Sequence, residues 1–282
     1  MSKRRATITY IVPLAISSII FVQMGLYILS IMGIWNSKYN LVVACHSLLK
    51  AIGLSSLRYA LDLLVFYTVL YLMWKIGSQL INSWNLKRKF KQYQDITLTN
   101  DFNLMYQKER DDIVVISHPV PLAITMGFIK PKIVISTGVI NLLTEEELRS
   151  VISHEFYHYR NRDPLKVFLI SLCASTMWYI PILQWFTQQY RIIQEILADD
   201  YAIKRQNTPV YLSSALLKMI KVGKQHKMPF AYVSFADTSV NYRIEYILNP
   251  LKNIEWKIPK KESYISLFIF LLICIFFIYA LA

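Results

Sequence analysis

The sequence predicts a mainly α-helical membrane protein that carries a small β-sheet. Three observations lead there. Long apolar runs stand toward both ends of the chain, β-rich segments punctuated by Pro and Gly occupy the region after Gln92, and a helical pattern containing His154-Glu155-Phe156-Tyr157-His158 follows them. At 282 residues and 55% apolar content, the chain can bury a core and still cross a bilayer several times. With 7 Gly, no low-complexity tract and no internal repeat, a solenoid or disordered architecture is excluded.

Residues 8–33 form an apolar run behind Lys3-Arg4-Arg5. It is longer than the core of a cleaved signal peptide and has no clear small-residue exit, so it reads as a span with its N-terminus inside. Leu41–Leu57 is apolar but interrupted by His46, Lys50 and Gly53, which suits a helix lying in the interface. Tyr59–Ile81 is the second span, followed by Lys87-Arg88-Lys89. Residues 165–187 are long enough to cross, at about 34 Å for 23 helical residues. Crossing, however, would place whatever follows on the far side from His154. A last apolar run, 264–282, follows Lys260-Lys261 and reads as a C-terminal span. The expected division is therefore an N-terminal membrane region, 1–91, a folded domain, 92–263, and a terminal helix, 264–282.

Within the folded domain, Ile113–Ser117, Pro121–Ile129 and Lys132–Ser136 are the strand candidates. Such a strand can pair with an extended peptide, or simply form core. Thr144 followed by Glu147 is a capping box, so a helix is expected from there to about Asn161. The net charge of +13 fits cytoplasmic loops of a membrane protein, and no basic run carries a nucleic-acid motif. Nucleic acid is excluded as a partner. Cys45, Cys173 and Cys274 lie far apart in apolar segments, which is neither a disulfide framework nor a thiolate metal site.

On a helix, positions i and i+4 share a face, so His154 and His158 can point at one metal ion while Glu155 reaches a water beside it. Random placement of 5 His and 9 Glu would produce about 0.002 such matches, so two unrelated surface histidines are a poor account. A catalytic zinc site keeps three protein ligands. The third candidate lies in Gln194-Glu195-Ile196-Leu197-Ala198-Asp199-Asp200, where Glu195 and Asp199 again share a helical face. One could ligate while the other accepts from a ligand imidazole, or both could be solvated acids; the residues leave this open. His46, His118 and His226 have no partner at ligand spacing, and His118, before Pro119, suits a turn.

The run His154-Glu155-x-x-His158-x-x-x-Arg162-Asp163, an apolar stretch, then Glu195-x-x-x-Asp199, resembles the integral-membrane zinc peptidases of the BlaR/MecR antibiotic-sensor type. Met126–Val134 is similar to the sheet segment before their metal helix. Trp178-Tyr179-Ile180-Pro181 is similar to the aromatic-Asn-Pro bend between their motifs, with Ile180 in place of Asn. The resemblance covers roughly residues 110–282. It implies a gluzincin-type zinc peptidase domain embedded between transmembrane helices. Zn2+ would be held by His154, His158 and Glu195, with Glu155 as base and Asp199 supporting a ligand imidazole. Glu195 must then share a compartment with His154, so 165–187 should enter the membrane and return near Pro181.

The implied protein is an endopeptidase of the cell membrane with its active domain facing the cytoplasm. It would cut a protein or peptide substrate, either a repressor-like regulator or a membrane-associated protein, with a second copy of the chain as candidate partner. The alternatives are a non-sensing signalling partner and a quality-control or processing peptidase of the HtpX or CAAX type; the latter normally place two full spans between the motifs. Two departures stand out: the chain ends at Ala282 without the sensors' extracellular penicillin-binding domain, and two spans rather than three precede the peptidase part. Arg243, in Asn241-Tyr242-Arg243-Ile244 where the sensors carry a paired Arg for self-cleavage, is either an oxyanion stabiliser or, more simply, a loop cation.

Overall fold

The computed structural model describes residues 3–34, 40–51, 53, 57–106, 112–223, 239–249 and 258–281. In chain order these form α1 (Lys3–Ile31), α2 (Leu41–Ala51), α3 (Leu57–Gln92), α4 (Ile96–Tyr106), β1 (Ile113–Ile116), β2 (Ala123–Met126) and β3 (Lys132–Ser136). There follow α5 (Thr137–Leu142), α6 (Glu145–Asn161), α7 (Asp163–Thr176), α8 (Ile182–Gln206), α9 (Val210–Gly223), α10 (Ser239–Leu248) and α11 (Lys260–Leu281). The protein is mainly helical with one small mixed sheet. Residues 52 and 54–56 of the expected interfacial segment, and His226, lie outside the described residues.

The chain divides into two compact units. One, of residues 7–80, 169–188 and 256–282, is built from apolar helices. Two helices among the described residues, Lys3–Ile31 and Tyr59–Gln92, are long and apolar enough to cross a membrane. With α2 they pack around Met24, Tyr27, Val42 and Val65, while Ile19, Leu63, Leu70 and Trp74 are exposed. An apolar exterior of this kind suits lipid better than water. His46, which the sequence left without a partner, pairs with Asp62 at 3.0 Å, and the Tyr27 hydroxyl donates to the same carboxylate at 2.6 Å. Three residues from three separate helices make that cluster, so no sequence spacing announces it. Residues 165–187 are not one helix. α7 ends at Thr176, a turn follows, and α8 starts after Pro181, whose fixed φ suits a helix entry. The chain doubles back there, with the Thr187 hydroxyl donating to the Ile170 carbonyl at 3.3 Å.

The other unit, of residues 1–6, 81–168 and 189–255, carries the sheet, in the order β1-β3-β2. β1 runs parallel to β3, pairing Val114 with Val134, and β2 runs antiparallel, pairing Ile124 with Val134. Both faces of the sheet are covered, which is why β1 reads Ile-Val-Val-Ile without alternation. Ile113, Val115, Ile133 and Ile135 pack under Val151 and Ile152 of α6; Val114, Ile116 and Ile124 pack with Phe90 at the end of α3. Gly127, at φ +101°, makes the β2–β3 turn; a Cβ there would meet the Lys130 carbonyl oxygen at 2.8 Å.

The two edges of the sheet differ. α4 seals the β1 edge: Asn103 exchanges hydrogen bonds with both backbone groups of Ile113, at 2.9 and 3.0 Å, and Thr99 accepts from the Val115 N–H. β2 has no strand beyond it among the described residues. Ser136 N–H donates to the Leu122 carbonyl. By the alternation of an antiparallel ladder, the backbone groups of Ala123 and Thr125 therefore turn away from β3, toward that edge.

Candidate metal centre

α6 begins as its capping box dictates. The Thr144 hydroxyl accepts from Glu147 N–H, and the Glu147 carboxylate accepts from Thr144 N–H at 2.8 Å. The other carboxylate oxygen takes the Ser214 hydroxyl, and the Lys218 ammonium closes the network at 2.8 Å, tying α9 to the start of α6. Burial alone would raise the Glu147 pKa, but Lys218, Ser214 and the Thr144 N–H bring it below the usual carboxylate value. Three turns later the buried face of α6 carries His154, Glu155 and His158.

His154 Nε2 and His158 Nε2 lie 3.1 Å apart, a separation that two lone pairs tolerate only with a proton or a cation between them. Glu195 enters from α8, with one oxygen 3.5 Å from His154 Nε2 and the other 3.6 Å from His158 Nε2. Donors about 2.0–2.1 Å from a tetrahedral zinc ion stand about 3.3 Å from one another, so this set has the size such an ion needs. The three residues form a group that could hold a metal.

Each imidazole is oriented from behind. Asp199, one turn after Glu195 on α8, contacts His154 Nδ1 at 2.9 Å; Asp163 contacts His158 Nδ1 at 2.8 Å. A carboxylate on Nδ1 places the proton there and leaves Nε2 as the donor to the centre. The spacing of the motif alone gives Asp163 no role. It reaches back because Arg162 closes α6 in the left-handed region, at φ 52°, and turns the first residue of α7 onto the last buried turn of α6. The only trace of this in sequence is a carboxylate five residues after the second histidine.

Arg243 is not a loop cation. It lies inside α10, is 2% exposed, and grips Asp199 with two hydrogen bonds of 2.8 Å while its third nitrogen stands 3.1 Å from Glu195. α10 is held over α8 by Tyr246 packed on Ile192 and Ile196, which puts the guanidinium there.

Glu155 lines a cleft of about 220 Å³ together with Ile124, Thr125, His158, Pro164, Val167, Gln194 and Glu195 among others. The Thr125 hydroxyl lies 2.9 Å from both its carboxylate and its carbonyl oxygen. Burial lifts Glu155 above the usual carboxylate range, against the pull of His158, His154 and Thr125. Burial would depress both histidines, yet their carboxylate neighbours prevail: His154 is raised, and His158 is pushed up to about 9. Burial would raise Glu195 and Asp199, but the histidines and Arg243 hold both well below the carboxylate range. Among the described residues Arg243 is the guanidinium that meets this group, and in the metal-free protein the two protonated imidazoles supply the remaining positive charge, a share that a bound metal ion would take over.

Two imidazoles on α6 and a carboxylate from α8, beside a second carboxylate in a cleft, form a set that could hold a metal ion, and comparison with known proteins places it in a peptidase. The chain belongs to the peptidase M56 family: the family model described as BlaR1 peptidase M56 matches residues 10–247. Among curated proteins it is similar to regulatory protein BlaR1 of Bacillus licheniformis, 22% identical over 130 residues, and of Staphylococcus aureus, 24% identical over 178. These matches cover 45% and 62% of this chain but only 22% and 28% of those proteins. It is also similar to a protease HtpX homolog of Methanothermobacter thermautotrophicus, 26% identical over 112 residues, 32% of this chain and 43% of that one. HtpX-like proteins, set apart above on the spacing of spans, are thus among its relatives.

Proposed function

We propose that the protein is a membrane-embedded zinc endopeptidase of gluzincin type that cuts peptide bonds on the cytoplasmic side. The observation that carries this is the convergence of His154 Nε2, His158 Nε2 and the Glu195 carboxylate beside Glu155. His154, His158 and Glu195 would hold the ion, which when bound supplies the Lewis acidity that activates water and polarises a carbonyl. Everything else falls to the chain. Asp199 and Asp163 keep both imidazoles in the tautomer that presents Nε2, and Arg243 anchors Asp199 while drawing on Glu195. Glu155, kept in place by Thr125, takes the proton of the attacking water and returns it to the leaving amine. Its raised pKa suits a group that must both accept and release a proton near neutral pH. Among the described residues no strand follows β2, so the half-buried Thr125 backbone would pair with an extended substrate alongside the carboxylate that serves it. In the membrane part, residues 165–187 would enter and leave the bilayer on one side, as the turn before Pro181 permits, with 1–91 and 264–282 as flanking membrane regions.

The biological role we infer is regulatory cleavage of a repressor-like or membrane-associated protein; the likeness to an HtpX homolog supports a second reading, general processing or quality control. Purified protein should contain one zinc per chain, lose it and all casein cleavage to a strong chelator, and retain zinc but not activity as Glu155→Gln. Stoichiometric zinc without Glu155-dependent cleavage would refute the enzyme. Proteins that accumulate in Glu155→Gln cells separate the two roles: one regulator for the first, many unrelated or damaged proteins for the second.

A further inference from the structure

The geometry points to Gln194 as a substrate-binding residue, its side-chain amide donating to a main-chain carbonyl of a peptide lying in the cleft; this rests on the peptidase reading above. Gln194 stands one residue before Glu195 on α8 and lines the same cleft as Thr125, Glu155 and His158. It is 5% exposed, and its Nε2 is sealed from solvent without a hydrogen-bond partner among the described residues. A primary amide carries two donors, and a buried donor left unmade is a standing penalty that native proteins rarely keep without use.

The neighbours sharpen the contrast. Every other polar side chain lining this cleft is engaged: Thr125 with Glu155, His158 with Asp163, Glu195 with Arg243 and the histidines. The hydroxyl of Ser150 on α6 is likewise buried and unmatched, but Ser150 does not line the cleft. Ile124, Pro164 and Val167, which share the wall with Gln194, have no side-chain acceptor to offer. An extended peptide paired along β2 would bring a row of carbonyl oxygens past that wall, the acceptors this amide lacks.

The test is Gln194→Met, a linear apolar side chain of similar volume, with Gln194→Glu, which keeps the shape but loses the donors. Both are compared with the parent as full-length, zinc-loaded protein for melting temperature, zinc content and cleavage of labelled casein. The amide meets peptide in ground and transition state alike. The expected result is therefore a kcat/KM lower by about tenfold in both variants, carried by KM, the size of one hydrogen bond. Zinc content should be unchanged, and Gln194→Met should melt no lower than the parent, since it removes an unmatched buried donor. A lower melting temperature, or failure of Gln194→Met to fold, would show that the amide has a structural partner and overturn the proposal; so would kcat/KM within twofold of the parent. If the parent itself cleaves no casein, the peptidase reading falls, and the melting comparison alone still decides whether the amide is spoken for within the protein.

Discussion

Asp199→Ala should be the most damaging single change in this protein outside its apolar core. Asp199 is fully buried, and it accepts two hydrogen bonds of 2.8 Å from an Arg243 that is itself 2% exposed. It also stands 2.9 Å from His154 Nδ1. Removing one member of a buried, hydrogen-bonded ion pair leaves the other charge without compensation, a loss of about 3–5 kcal/mol. At about 2–4 °C per kcal/mol for a domain of this size, the apparent melting temperature should fall by roughly 6–20 °C. The freed guanidinium still has Glu195, 3.1 Å away, and will draw that carboxylate off the histidines. Zinc affinity should therefore drop by about 10–100-fold or more, the usual effect of losing a group that orients a ligand. Asp199→Asn, which keeps an acceptor for one neighbour, should fall between the parent and Asp199→Ala on both measures. Thermal melting in detergent and competition with a fluorescent zinc chelator read the two effects separately. A melting shift below about 2 °C for Asp199→Ala would refute the claim that Asp199 and Arg243 form a solvent-excluded pair.

Three further outcomes follow from the same geometry. Thr125→Val, which removes the hydroxyl 2.9 Å from the Glu155 carboxylate, should lower kcat while zinc content stays at the parent level; an unchanged kcat means Thr125 does not position the base. In the apoprotein His158 holds its proton up to about 9, and His154 is likewise raised, so zinc must displace protons at neutral pH. Zinc uptake should thus release protons and its affinity should weaken steadily as pH falls below about 9, measurable by calorimetry in buffers of different ionisation enthalpy. Glu147, with its pKa lowered by Lys218, Ser214 and the helix cap against the effect of burial, contributes stability that is present above the ordinary carboxylate pKa and lost as pH falls through its depressed folded value. Glu147→Gln should accordingly destabilise the protein at neutral pH by about 1–2 kcal/mol, with the difference from the parent vanishing in acid.

Much of this protein is determined by residues close together in the chain. Hydrophobic length marks α1 and α3, since a helix long and apolar enough to span follows from composition alone. The cap at Thr144 and Glu147 sets where α6 begins, and a spacing of four sets both histidines on one face. The strands, too, are local: Val/Ile runs between Pro and Gly place β1, β2 and β3 within a few residues of their observed bounds. Helix period and strand propensity are short-range physics, and a sequence displays them directly.

Tertiary structure decided what depends on distant residues meeting. Glu195 lies 37 positions beyond His158, and its convergence on both imidazoles requires the chain to turn back before Pro181. Asp163 becomes a partner of His158 only through the left-handed turn at Arg162. Arg243 belongs to Asp199 because α10 packs on α8, a contact across 44 residues that no local pattern encodes. The same holds for the two sheet edges: strand propensity does not say which edge α4 will seal with Thr99 and Asn103, nor that among the described residues no strand follows β2 beside Glu155. Buried charge explains the division. A carboxylate among apolar helices is tolerated only where a partner arrives to meet it, and which partner arrives is settled by the packing of whole elements.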